Sequence, residues 1–277
     1  MWFGTRAYMQ EVPDPDIDPD FSSVGWSQPT SYLNGGLGVS ASTNSHHEYY
    51  LSWTAISAAE GRQVTDYADG VYGSGLIYWL DPIAARSNVL PQSWATPSIG
   101  GYDGVPLAGD VRPTLSTNSV TSQGYPAELA TYTLTEDSVL RSVFVPIPAG
   151  YVAWVGVHGA GDAQDMVKVT PYTGSTAGTV VYPTILSTAT TTRVNTEIEG
   201  TGLELSLDNT TPGTFTLAGM IVQVLPDGVT PETGGFISGQ GHSGCRFIGK
   251  PTRAAFKVGS PDQVSITAKL GEVGEWE

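Results

Sequence analysis

The stretch that most resembles a catalytic motif is Gly241-His-Ser-Gly-Cys245, a serine beside a histidine among glycines. A nucleophile elbow has the form Gly-x-Ser-x-Gly on a sharp turn between a buried strand and a helix, which exposes the serine hydroxyl. Here the last position is Cys245, and neither flank reads as the strand or the helix that the turn requires. Glycines at this density suit a turn needing positive φ, and the stretch is read as one. The other candidates are metal ligands. Pro13-Asp-Pro-Asp-Ile-Asp-Pro-Asp20 spaces carboxylates two apart, as a calcium loop does. That loop also takes glycine at its sixth position and a carboxylate at its twelfth. Counting from Asp14 gives Pro19 and Gly25, and counting from Asp16 gives Phe21 and Ser27, so both registers fail and only a non-standard calcium site is left open. His46-His47-Glu48 is read as a surface pair, because adjacent strand residues point to opposite faces and a single metal would use only one of them well.

Further chemistry is not spelled out. Gly249-Lys250 lacks the upstream glycine of a phosphate loop, and the chain has neither Cys-x-x-Cys nor His-Glu-x-x-His. Glycoside hydrolysis needs only two carboxylates, and there are 27 acidic residues, but no spacing singles out a pair. The chain is therefore expected not to be an enzyme, and to carry no cofactor and no metal.

The elements that would position these residues are strands. Charged residues make up 14% of the chain, against 34 glycines and 19 prolines, and threonine is dense from Thr170 to Thr216. Threonine favours pleated surfaces and Gly and Pro set turns, so the class is mainly β. From Glu128 to Asp227 apolar runs recur about every ten residues, separated by turn signals such as Pro148-Ala-Gly150 and Thr211-Pro-Gly213. Leu203, Leu205 and Leu207 alternate with Glu204 and Ser206, the period of a half-buried strand. About eight such strands predict a two-sheet, jelly-roll-like sandwich over 128–227.

Four regions are expected: an N-terminal arm with an acidic Pro/Asp linker over 1–20, an irregular β assembly region over 21–127, the sandwich, and a Gly-rich loop with a closing strand over 228–277. That strand alternates through Val264, Ile266, Ala268 and Leu270, and it can complete the N-terminal β part. Thr54 to Gly61 predicts a short helix, with Thr54 as N-cap and Gly61 as terminator. Trp154 is read as core, and Trp26, Trp53 and Tyr125 as candidate surface aromatics; no specific glycan-contact residue can be chosen among them.

The net charge of −15, with four lysines of which Lys168 is the first, repels phosphate backbones and anionic membranes, so no nucleic acid is expected as partner. A single cysteine, Cys245, forms no internal disulfide. Met1 to Gln10 lacks a signal-peptide pattern, and no apolar run approaches the ~20 residues of a membrane span, so no membrane insertion and synthesis in a cytoplasm are expected. Trp2 to Val12 is short and aromatic and reads as an edge strand or a docking arm, with Trp2 and Phe3 as candidate partner contacts. Leu90, Pro91 and Trp94 sit in a segment with two open fates: it wraps over its own core, or it inserts into a neighbouring subunit, where aromatic anchors concentrate binding energy.

Leu76 to Pro97, an aromatic strand running into Asp81-Pro82 and then Asn88-Val-Leu-Pro-Gln-Ser-Trp-Ala-Thr-Pro97, resembles a signature of minor tail proteins of long-tailed actinobacteriophages. Gly239 to Pro251, followed by Val264 to Gly274, resembles the closing region of the same family, except that Lys269 and Gly271 stand where more apolar residues are expected. The resemblance covers roughly residues 70–277. It implies a virion component at the tail tip, made in the host cytoplasm. Its implied partners are tube, hub or fibre proteins and copies of itself in a trimer or hexameric ring. It also implies a galectin-like or carbohydrate-binding-module-like sandwich. A receptor-binding module for host cell-wall polysaccharide is the alternative, with a host glycan as further partner, and a cell-wall glycan hydrolase is the weaker one.

Overall fold

The computed structural model describes residues 1–16, 20–24, 27–31, 37–41, 46–80, 82–95, 114–116, 129–134, 142–161, 166–186, 195–207, 213–231, 239–242, 244–255 and 262–273. The chain is mainly β, with several antiparallel sheets. Its first elements are β1 (Trp2–Thr5), β2 (Tyr8–Glu11), β3 (Asp20–Val24), β4 (Ser27–Ser31), β5 (Leu37–Ala41), β6 (His46–Ser57), α1 (Ala58–Ala68), β7 (Ile77–Leu80), α2 (Pro82–Ser87) and α3 (Gln92–Ala95). Then come β8 (Thr114–Ser116), β9 (Leu129–Leu134), β10 (Ser142–Pro146), β11 (Tyr151–Gly161), β12 (Val167–Thr173), β13 (Thr176–Ala177) and β14 (Ile185–Leu186). The last are β15 (Thr196–Ile198), β16 (Gly202–Leu207), β17 (Gly213–Pro226), β18 (Cys245–Phe247), β19 (Thr252–Ala255) and β20 (Gln263–Glu272). Two compact units form, each discontinuous in sequence: unit 1 is Met1–Glu11 with Tyr78–Gly244, and unit 2 is Val12–Ile77 with Cys245–Glu277. The regional boundaries expected from sequence do not coincide with these, because strand pairing joins segments distant in the chain.

Among the described residues, unit 1 holds the β1–β2 pair and the sheets ordered β10-β16-β12-β13 and β14-β11-β17-β9-β8, with β15 also paired to β11. Both sheets contribute to one core, through Leu203, Leu205 and Leu207 of β16 and Val155, Phe215 and Val222 of the other sheet. The predicted alternation of β16 is what places those three leucines inside, while Glu204 and Ser206 face out. The apolar run Thr179–Tyr182 contributes only an isolated bridge between Val181 and Val169. Trp154 is not in the core: it lies on β11 opposite Ala153 and Val155, half-buried, with Gln223 and Glu197 as cross-strand neighbours. An all-apolar run hides which face a residue takes, so the sequence alone does not separate Trp154 from the core.

β17 explains the 82–95 segment. β11 pairs along one edge of β17 from Phe215 to Pro226, but on the other edge β9 covers only Gly213 to Leu217. Beyond that point Asn88 closes the edge. Its Nδ2 donates to the Met220 carbonyl at 3.0 Å, and its Oδ1 accepts from Val222 N–H at 3.1 Å. Val89 N–H adds a bond to the Val222 carbonyl at 2.9 Å. The Asn88 amide thus stands in for a strand's peptide group, which a buried sheet edge needs because unpaired backbone polar groups are costly. Leu90 and Trp94 then enter the core with no exposed surface, and α3 is a single turn closed onto the Pro91 carbonyl.

In unit 2, β20 pairs antiparallel with β6, so the closing strand does complete the N-terminal β part. β18, β19 and β3 extend that sheet. The helix differs from expectation: α1 starts after Ser57 and runs through Gly61 to Ala68. Ser57 and Glu60 form a reciprocal capping box, with Glu60 N–H to Ser57 Oγ at 3.2 Å and Ser57 N–H to Glu60 Oε2 at 2.8 Å. Gly61 is packed rather than terminal, since a Cβ there would meet Val264 Cγ2 at 2.6 Å. Trp53 is fully buried, its Nε1 donating to the Pro13 carbonyl at 2.8 Å, which corrects its reading as a surface aromatic. Lys269 faces out to Glu48 at 2.7 Å, and Gly271 leaves room for Ile248, which accounts for the two less apolar positions of the closing strand.

Candidate functional site

Of the five residues expected to touch a partner, Phe3, Leu90, Pro91 and Trp94 are buried within unit 1. They are core residues, a correction whose reason is geometric: a side chain without exposed surface has nothing to offer a neighbour in this fold. Trp2 keeps some exposure, packed edge-to-face on Tyr151 at 6.2 Å. Among the described residues no three His, Cys, Asp or Glu side chains converge on a metal-sized site. The side chains of His46 and His47, the Asp18 part of the acidic linker, Ser243, Trp26 and Tyr125 lie outside the described residues.

What the fold does assemble is an aromatic depression on unit 1. Its walls include Tyr78, Trp79, Phe144, Pro146, Gln240 and His242, and its volume is about 20 Å³, room for about one water. That is far below the roughly 300–1,000 Å³ of ligand sites. β7 supplies Tyr78 and Trp79, and β10 supplies Phe144. The His242 ring stacks on Trp79 with centroids 5.3 Å apart, and its Nε2 lies 3.0 Å from the Trp79 carbonyl. Gly241-His242, the flank of the suspected elbow, thus builds a wall. Gln240 is held by Ser87, whose Oγ donates to Oε1 at 2.9 Å.

The backbone around Gly241 can lie there only without a side chain. A Cβ on Gly241 would fall onto the Val89 carbonyl group, and one on Gly239 onto that of Leu90. Gln240 N–H donates to the Asn88 carbonyl at 3.0 Å and Gly241 N–H to the Leu90 carbonyl at 3.1 Å. The two segments that carry the tail-protein resemblance therefore meet backbone to backbone.

Phe144 also belongs to an arginine cage on the outer face of the β10-β16-β12 sheet. Register sets Ser142, Ser206 and Lys168 in one row, Phe144, Glu204 and Thr170 in the next, and Pro146, Gly202 and Tyr172 in a third. Arg6, in the turn between β1 and β2, lies 4.5 Å over the Phe144 ring and 4.2 Å over the Tyr172 ring. Its Nη2 pairs with Glu204 Oε2 at 2.6 Å, and the Tyr172 hydroxyl donates to the same oxygen at 2.9 Å. Burial pushes the Glu204 carboxyl up, but hydrogen bonds from Ser142, Arg6 and Tyr172, with the Arg6 charge, hold it below the usual range. Burial, then the bond to Glu204, raises the Tyr172 phenol. A Cβ on Gly202 would run into the Phe144 ring, so Gly202 is the seat on which that ring lies. The sequence offered no signal for Arg6 with Glu204, which are 198 positions apart.

No family model, no curated protein and no solved structure matches the chain.

Proposed function

We propose that the protein is a structural component of the tail tip of a long-tailed phage, a jelly-roll-like sandwich joined to a β assembly unit, which packs against tube, hub or fibre proteins and against copies of itself. The observation that carries this reading is the meeting of Asn88–Pro91 with Gly239–Gly241. Two stretches about 150 residues apart each resemble the same tail family, and each needs the other's backbone to hold its place. The test is removal of the gene from the phage that encodes it. The expected result is particles with incomplete tail tips that fail to adsorb; normal, infectious tails would overturn the proposal.

A second reading is a module that binds host-wall polysaccharide, the alternative that the same resemblance implies. Purified protein retained by host-wall polysaccharide supports this reading; protein that no wall polysaccharide retains counts against it.

A further inference from the structure

We infer that the β1–β2 hairpin, Met1–Glu11, is an exchange arm that seats on unit 1 of a second copy of the chain, with the Arg6 cage as its socket. The inference rests on the self-packing part of the tail-tip reading and adds to it the surface through which copies join. The hairpin is folded into unit 1, yet the chain leaves it at Glu11 and runs through unit 2 as far as Ile77 before unit 1 resumes at Tyr78. A lone strand pair of this size is marginal in water, so the hairpin needs a unit 1 to fold on. Its seat is keyed. Arg6 Nη2 reaches Glu204 Oε2 at 2.6 Å, the guanidinium lies 4.5 Å and 4.2 Å over the Phe144 and Tyr172 rings, and Trp2 packs edge-on to Tyr151. Glu204, Phe144, Tyr172 and Tyr151 all belong to Tyr78–Gly244, so none of these contacts changes when another copy offers the seat. Phe3 stays a core residue in either case, since exchange alters only which copy's core receives it.

Two observations favour a second copy as owner of the seat. The first is the joint. Past the arm the chain is tied to unit 2: Val12 is buried, the Pro13 carbonyl accepts from Trp53 Nε1 at 2.8 Å, and Asp16 N–H donates to the Ser52 carbonyl at 2.8 Å. Pro13 and Pro15 keep this stretch extended, so the arm leaves unit 2 on a stiff strap, and a short stiff hinge invites an element to pass between copies. The second is charge. Each copy carries −15, so two copies repel and a joint between them needs a local opposite charge. Arg6 is the only lysine or arginine before Arg62, and it seats on a carboxylate. Passed head to tail, arms of this kind close a ring.

The experiment uses the full chain with Arg6→Lys and a zero-length carbodiimide, which joins the introduced amine to the Glu204 carboxylate as an amide, the carbodiimide taking up the water. A link between copies doubles the mass on a denaturing gel, a link within one copy does not, and peptide mass spectrometry finds either. Sedimentation velocity measures self-association, and thermal unfolding checks that each variant is folded. The expected result is the link in chains of doubled mass, lost when Glu204→Gln is added. Arg6→Glu should weaken self-association roughly tenfold or more, with Arg6→Lys close to wild type. Arg6→Lys keeps the test decisive even if Arg6→Glu does not fold. The link found only in chains of single mass would overturn the exchange and leave self-packing standing. No link to Glu204 in any species, or Arg6→Glu associating like wild type, would overturn the socket. Wild type that stays monomeric at every concentration would remove the inference together with self-packing, whereas exchanged arms in a protein absent from virus particles would sink the tail reading alone.

Discussion

Asn88 offers the sharpest test of how unit 1 is held together. Its side chain is fully buried and makes three hydrogen bonds: to the Met220 carbonyl at 3.0 Å, from Val222 N–H at 3.1 Å and from Leu90 N–H at 3.2 Å. Asn88→Ala strands all three backbone groups. At about 1–3 kcal/mol for each buried group left unsatisfied, and with partial relaxation, the loss should come to about 3–5 kcal/mol. Since every 1.4 kcal/mol is tenfold, amide exchange in peptides covering 218–226 should accelerate by about two orders of magnitude or more. Hydrogen-exchange mass spectrometry reads this locally, which matters in a chain of two units where a single unfolding midpoint need not describe either one. Asn88→Asp adds a signature. It keeps an acceptor for the two N–H groups but sets a second oxygen against the Met220 carbonyl, so burial and that contact raise its folded pKa above the unfolded value of about 3.9. A raised carboxyl destabilises most at high pH, and its deficit against wild type should shrink as pH falls through the folded pKa and the acid's O–H begins to donate to Met220. Exchange in Asn88→Ala within about threefold of wild type would refute the closed-edge account.

Three further outcomes follow from the geometry. Gly241→Ala should disrupt unit 1 severely, because its Cβ falls on a backbone carbonyl, whereas Gly150→Ala, with φ +80° and open space, should cost only about 1 kcal/mol; limited proteolysis and thermal melts compare them. Ala55→Gly should stabilise unit 2 by about 0.5–1 kcal/mol, since Ala55 sits at φ +57° beside the register shift of the β6–β20 pair, and a lowered unfolding midpoint would contradict the strain. Glu204, whose folded pKa is depressed, contributes stability that is present above the unfolded carboxylate range and is lost as pH falls through the folded pKa. Acid titration of Glu204→Gln should therefore show a shallower stability loss than wild type.

Strands were the legible part of the sequence. Alternation marked β16 and β20 because each buries one face only, and the period of two survives wherever one side is wet. Ser57-Ala-Ala-Glu60 carries a readable capping box, and the helix starts there rather than at Thr54 because the strand before it runs on to Ser57. Trp53 and Trp154 exchanged their expected places: Trp53 shares its buried face with Leu51, a pattern open to view, while the run around Trp154 is apolar on both faces. Asn88 and the Arg6 cage were not legible at all. Their meaning depends on partners 134 and 198 positions away, and a polar side chain says nothing of its partner until pairing brings the two together.

On the proposed reading the protein sits in a phage tail, and the most direct measurement is immunogold electron microscopy of virus particles produced from the genome that carries its gene, with mass spectrometry of the same particles. The account predicts that the protein is present in the virion and that gold clusters at the distal end of the tail. Particles that lack the protein, or that carry it on the capsid instead, would contradict it.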